Sequence, residues 1–287
     1  GEARHHLADD AIHQRRLLPY DPAKWIRGER FAPGETAYED DSVRLWHDGD
    51  GIGVLSFKSK MNTVGDGVLA GVRKAIDIAE QQFQGLVVWQ TKEPFSAGAD
   101  LSGVLASLQE GRIDDFRAMI GQFQATSMRI KYAQIPVVAA VRGMALGGGC
   151  EFQMHAARTV FALESYIGLV EAGVGLLPAG GGLKEIALRV GSSGGDVFAG
   201  LKPYFEAIAM GKVSGSALEA KELKLARESD VVVFNSFELL HVAKAQARAM
   251  AESAYRPPMP ARDIPVAGSI GIATFKMMLV NMLAGGF

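Results

Sequence analysis

The 287-residue sequence predicts an α/β protein built on mainly parallel strands. Three observations carry that expectation. Short apolar, β-branched runs at Leu86–Gln90, Val137–Val141 and Arg158–Ala162 read as buried strands. Segments between them place apolar residues at helical spacing. Glycine clusters sit where each strand gives way to the next helix, so strand, turn and helix alternate along the chain.

Taken in order, residues 1–40 are rich in charge, Pro and Gly and are expected to be irregular, with one short helix at Ala8–Leu18. Val43–His47 and Ile52–Phe57, joined by Asp-Gly-Asp-Gly, form a β-hairpin. From Val64 to Gln82, Val64, Val68, Val72, Ile76 and Ala79 recur at helical spacing, and the helix stops near Gly85. After the strand Leu86–Gln90 come a Gly-rich loop at Phe95–Gly103 and helices at Val104–Glu110 and Ile113–Ala133. Pro136 ends the second of these. The strand Val137–Val141 leads through Gly143–Gly149 into a helix that starts near Gly149 or Cys150. Beyond the strand Arg158–Ala162, the turn Gly175–Gly182 opens a helix at Leu183–Val190. Past Gly191 the pattern changes to helices, at Pro203–Met210, Ser216–Lys224 and Ser236–Ser253, around one strand at Val231–Phe234. A Pro-rich break, Arg256–Pro265, precedes a last amphipathic helix at Ile270–Leu283. This divides the chain into an N-terminal extension (1–40), an α/β core (41–200) and a C-terminal helical region (201–287).

Bulk properties narrow the function. A net charge of −2 gives no global field for nucleic acid or an anionic membrane. No run of about 20 apolar residues occurs, so no membrane span is expected. A single cysteine, Cys150, cannot form an internal disulfide and fits a reducing, cytoplasmic setting. No His/Cys/Asp grouping has metal-ligand spacing, so no metal is expected. The start lacks both a signal-peptide pattern and a methionine, and the end has no closing element. Both read as cuts from a longer polypeptide.

Chemistry concentrates in two segments. Pro94-Phe-Ser-Ala-Gly-Ala-Asp-Leu101 follows one buried strand. Ile135-Pro-Val-Val-Ala-Ala-Val-Arg-Gly-Met-Ala-Leu-Gly-Gly-Gly-Cys-Glu151 is another strand running into a turn and helix. Two such loops can meet at the carboxyl edge of a sheet, where ligands bind. A helix start offers free N–H donors, and successive glycines leave them open to a substrate. One donor from each loop, aimed at one oxygen, is an oxyanion hole, in which a donor is worth roughly 3–4 kcal/mol at the transition state.

These segments, together with Glu171-Ala-Gly-Val-Gly-Leu-Leu-Pro-Ala-Gly-Gly-Gly182, resemble the enoyl-CoA hydratase/isomerase (crotonase) superfamily over about Val43 to Ala251. The resemblance implies a spiral of ββα units with a C-terminal helical region. It implies that Ala99 and Gly148 supply the N–H donors to a thioester oxygen, that Glu151 activates water, and that Glu171, 20 residues on, protonates the α-carbon. It also implies that Lys58, Lys60, Ala97 and Asn62 meet coenzyme A, which belongs to the substrate, so that no separate cofactor is expected. Trimers or hexamers, or membership of a larger β-oxidation polypeptide, are the expected assemblies. The stretch from Arg256 to Ser269 resembles the region after the hydratase portion of bifunctional 3-hydroxyacyl-CoA dehydrogenase/enoyl-CoA hydratases.

The residues support the implied chemistry in their own right. Adding water across a conjugated double bond needs a base for the water, an acid for Cα and a stabiliser for the enolate between them. Taken singly, Glu151 is an ordinary first-turn glutamate that complements a helix dipole, and Glu171 a solvated charge. It is their order and spacing with the glycine motifs that give them roles. Gly180–Gly182 matches neither a P-loop nor a dinucleotide fingerprint and reads as a structural turn. His155 reads as a packing residue, and Cys150 as a small buried thiol. Three features depart from the family: Val170 stands where many members have proline, Gly191–Lys202 reads as an insertion, and Tyr255–Phe287 does not match the usual ending that helps cover coenzyme A. Besides hydration, a Δ3,Δ2-enoyl-CoA isomerase and an acyl-CoA-binding module without turnover remain open.

Overall fold

A computed structural model of the chain describes residues 34–102 and 110–286. The helix expected at Ala8–Leu18 lies outside these residues, as does that at Val104–Glu110 apart from Glu110, which sits in a turn. In chain order the strands are β1 (Glu35–Glu39), β2 (Val43–His47), β3 (Ile52–Phe57), β4 (Gly85–Trp89), β5 (Val137–Leu146), β6 (Arg158–Gly168) and β7 (Val231–Val233). The helices are α1 (Asp66–Gln82), α2 (Ile113–Lys131), α3 (Gly148–His155), α4 (Gly182–Ser192), α5 (Val197–Ala209), α6 (Ala217–Glu222), α7 (Leu239–Glu252) and α8 (Gly268–Ala284).

The seven strands form one sheet in sequence order. β1, β2 and β3 pair antiparallel, and every later pair is parallel. β4 and the first half of β5, Val137–Val141, are apolar throughout because both their faces are covered. On one face Leu45, Leu55, Leu86 and Val88 meet Val68, Val72 and Ile76 of α1 in a core that extends to α2 and α3. On the other, Trp46, Val54, Val87 and Trp89 pack under Leu239, Leu240, Ala243 and Ala247 of α7. Trp46 and Trp89 meet there edge to face at 6.1 Å.

Three segments differ from expectation. Glu35–Glu39, within the stretch expected to be irregular, is an edge strand on β2, tied by Arg44 Nε donating to Thr36 Oγ1 at 2.9 Å. An edge strand needs little apolar patterning, so its charges concealed it. β5 and β6 also run on to Leu146 and Gly168, well past Val141 and Ala162. The register between them shifts at Val141/Gly143, where Gly143 takes φ 62°. That bulge breaks the alternation seen in sequence and redirects the strand.

The redirected end of β5 positions the loops. Phe95 N–H donates to the Arg142 carbonyl and Ser96 N–H to that of Met144, while Leu146 N–H returns to the Ser96 carbonyl, each at 3.0 Å. Gly147 N–H donates to Gly168 at 2.9 Å. Two Gly-rich loops and the end of β6 are thereby stitched into one edge. The Gly191–Lys202 stretch forms the turn into α5, whose Phe198 and Phe205 stack on Phe275 of α8 at 4.9 and 4.5 Å.

Candidate active site

The first loop and the start of α3 lie against each other. A Cβ built on Gly98 would stand 2.9 Å from the Leu146 carbonyl oxygen and 3.6 Å from the Gly148 nitrogen. Among the described residues, no acceptor takes the N–H of Ala99 or that of Gly148. Their neighbours are engaged: Asp100 N–H donates to Val64, and Gly98 N–H to Ser96 Oγ. Two unspent donors therefore sit side by side at the carboxyl edge of the sheet.

Glu151 lies in the first turn of α3 and is 3% exposed. Gly182 N–H donates to its Oε1 at 2.8 Å, and the N–H groups of Gly180 and Gly181 add to the same cradle. Burial pushes its pKa up to about 7, against the opposing pull of these donors; the nearby Glu171 charge adds to the rise. Glu171 opens a 3₁₀ turn (Glu171–Val174) just past β6 and is half-buried. Burial raises its pKa to about 7 as well, and its Oε2 is enclosed with no hydrogen-bond partner among the described residues. Its Oε1 reaches within 3.3 Å of a Cβ position on Gly147, directly before the Gly148 donor. Glu171 thus borders the Gly148 amide, Glu151 lies in the helix turn that this amide opens, and both carboxyls are held well above the usual carboxylate range.

Two contributors escaped the sequence reading. The Gly180–Gly182 run, expected to be a plain structural turn, wraps Glu151: a Cβ on Gly180 would fall 2.3 Å from Glu151 Oε2, and one on Gly182 3.1 Å from Oε1. Phe123 of α2 walls the site, 2.3 Å from a Cβ position on Gly148 and 2.5 Å from one on Gly180. It also packs on Phe152 at 5.1 Å, excluding water from the first turn of α3. Nothing in a helical run of mixed residues marks Phe123 out; the Gly run carried the only signal.

The four residues expected at coenzyme A lie along the neighbouring rim. Asn62 is buried in a left-handed conformation, φ 52°, and its amide donates to the carbonyls of Lys92 and Pro94 at 3.0 and 2.6 Å. Ala97 N–H donates to Met61 at 3.2 Å, so both serve to join the Lys60–Asn62 turn to the first loop. Lys58 is engaged by Glu39 at 2.9 Å and by the Asp40 carbonyl at 2.7 Å. Lys60 is exposed and has no carboxylate partner among the described residues. Beside Asp100 a cleft of about 740 Å³ opens between α1 and α2, walled by Leu69, Arg73, Phe116 and Met119. Cys150 is buried, and burial drives its thiol far above the usual range, so it is inert as a nucleophile. Among the described residues no three His, Cys, Asp or Glu side chains gather as metal ligands, and no helix is long and apolar enough to cross a membrane.

A mainly parallel sheet whose carboxyl edge joins two open amides to one buried and one half-buried acid defines a crotonase-fold protein. Comparison with known proteins agrees: residues 48–199 match the family described as Enoyl-CoA hydratase/isomerase, and the chain belongs to it. A probable 3-hydroxyacyl-CoA dehydrogenase of Bacillus subtilis (strain 168) is 38% identical over 239 residues, 83% of this chain but 30% of that protein. The ethylmalonyl-CoA decarboxylase of Homo sapiens is 30% identical over 185 residues, covering 63% of this chain and 59% of that one. The crystal structure of an enoyl-CoA hydratase from Polaromonas sp. JS666 superimposes with a TM-score of 0.60 at 22% identity, over 73% of this chain and 77% of that one. The chain thus spans less than a third of the length of its Bacillus relative.

Proposed function

We propose that this chain reversibly hydrates 2-enoyl-CoA to 3-hydroxyacyl-CoA, and that it is the hydratase portion of a longer β-oxidation polypeptide. The observation that carries the reading is the pair of carboxyls, buried Glu151 and half-buried Glu171, each raised to about 7 beside two acceptor-free amides. The thioester oxygen accepts from Ala99 and Gly148 N–H, which draws charge toward it and leaves C3 electrophilic. Glu151 takes a proton from water as its oxygen bonds to C3, and Glu171 delivers a proton to C2 of the resulting enolate. The two acids end with exchanged protonation, and proton exchange with solvent resets them. Every proton is moved by a glutamate, so the cycle needs no cofactor beyond the substrate's own coenzyme A. Lys60 is the cation that meets its phosphates. The product is the substrate class named for the dehydrogenase relative, which supports a shared polypeptide.

The test is incubation with crotonyl-CoA, followed by loss of the conjugated-thioester absorbance. Glu151→Gln and Glu171→Gln each lower kcat by at least about a hundredfold. Faster turnover of a 3-enoyl-CoA would replace the reading with double-bond isomerisation. Tight binding of acyl-CoA without turnover, in the longer polypeptide as well, would make this a binding module.

A further inference from the structure

The far end of α3 holds a buried charged cluster that the chemistry above does not use. His155 has no exposed side-chain surface, and its Nδ1 lies 2.7 Å from the Glu151 carbonyl oxygen. A carbonyl only accepts, so Nδ1 carries the proton and the neutral ring turns its Nε2 lone pair away. Nε2 faces Glu185 Oε1 at 3.6 Å and makes no hydrogen bond among the described residues. That same Glu185 oxygen accepts from Lys131 of α2 at 2.5 Å and from Lys184 of α4 at 2.6 Å. Arg189 of α4 donates to the Met154 carbonyl at 3.3 Å. These are the charged groups that face His155 from α2 and α4; Arg227 and Arg256 line the same cavity beside it, and on the other side of Glu151 stands Glu171.

The ring also touches the turn that cradles Glu151. A Cβ on Gly181 would fall 2.7 Å from its Cε1 and 2.8 Å from Nε2. Glu185 N–H donates to the Gly181 carbonyl at 3.0 Å, so imidazole, turn and Glu185 form one packed unit. We propose that His155 is the positioning residue for Glu151: held by its Nδ1–H on the Glu151 carbonyl and packed against Gly181, its ring braces the Gly180–Gly182 turn and keeps the Gly182 N–H on the Glu151 carboxylate. The proposal rests on the reading of Glu151 as the base. Without the brace the turn slackens and Glu151 loses a donor that favours its ionised form, so its proton affinity rises. Binding through Ala99 and Gly148 is untouched.

The experiment titrates the Glu151 side-chain carbon by NMR in protein labelled with ¹³C at glutamate carboxyls, the signal being assigned by its loss in Glu151→Gln. In His155→Ala the midpoint moves up by at least about half a pH unit, and in His155→Phe, which keeps the bulk of the ring, by less than about half that. Hydration follows suit: His155→Ala lowers kcat about tenfold or more with KM within about twofold, moves the acid limb of kcat to higher pH, and His155→Phe regains most of the loss. A folded His155→Ala that loses thermal stability while midpoint and limb stay in place would overturn the proposal, as would a His155→Phe no better than alanine. If His155→Ala does not fold, His155→Asn carries the same comparison. The titration reads Glu151 without reference to turnover. Full hydration by Glu151→Gln would therefore sink the base assignment, while the brace is still decided by the midpoint.

Discussion

The two ends of α3 hold carboxylates of nearly equal burial and opposite behaviour. Glu151 at its first turn is 3% exposed, and Glu185, against its last turn, 4%. Glu151 finds backbone N–H groups but no cation, and burial wins, lifting it to about 7. Glu185 finds His155, whose ring is charged at the acid pH where Glu185 titrates, together with Lys131 and Lys184, and these outweigh burial, holding it down to about 2. Depth alone therefore does not decide whether a buried acid keeps its proton; the charge of its partners does. One end of a short helix thus holds an acid whose proton affinity is raised, and the other an acid held ionised by cations.

The sharpest way to break that contrast is to neutralise the anchoring end. Glu185→Gln leaves Lys131 buried without its counter-charge and lowers the unfolding free energy at pH 7 by about 3 kcal/mol in urea denaturation. Because the folded Glu185 pKa is depressed, its contribution is full above the unfolded value near 4.5 and fades as pH falls toward 2. A cost below about 0.5 kcal/mol would mean the cluster is solvated and the contrast false.

The next test crowds the Glu151 end. Gly180→Ala drives a methyl onto Glu151 Oε2 and Phe123, and is expected to cost about 1–3 kcal/mol and most of the activity. Gly173→Ala, whose Cβ would meet nothing within 4 Å, stays within about 0.5 kcal/mol of wild type. Equal effects at both positions would remove the special packing claimed for the turn.

A smaller effect, of reversed sign, sharpens the comparison at Glu151 itself. Its raised pKa means that stability is full below about 4.5 and is lost as pH rises through about 7. Glu151→Gln should therefore be the more stable protein by about 1–3 kcal/mol at pH 8 and close to wild type at pH 4.5, as thermal unfolding at the two pH values would show.

How legible each end was in the sequence follows from how local its determinants are. The free-amide loops were readable because strand, glycine run and helix start lie within a few residues of one another, as in Val137–Glu151. The hairpin Val43–Phe57 was readable for the same reason, with Gly49 and Gly51 at φ 78° and 80° in its turn. The donor to Glu151, Gly182, lies 31 residues away, and Lys131 lies 54 from Glu185, so neither partnership leaves a local pattern. Phe123 and the bulge at Gly143 were hidden likewise, since each is defined by what packs across from it. His155, read as a packing residue, is one, yet what it packs against is the turn that serves Glu151.

The most direct test of the account is an infrared titration of the carboxyl C=O stretch between pH 4 and 9. The expected result is a protonated-carboxyl band that persists to neutrality, vanishes with a midpoint near 7, and weakens in both Glu151→Gln and Glu171→Gln. A protein whose carboxyls are all ionised by about pH 5.5 would have no acid ready for the α-carbon, and the paired-glutamate account would be contradicted.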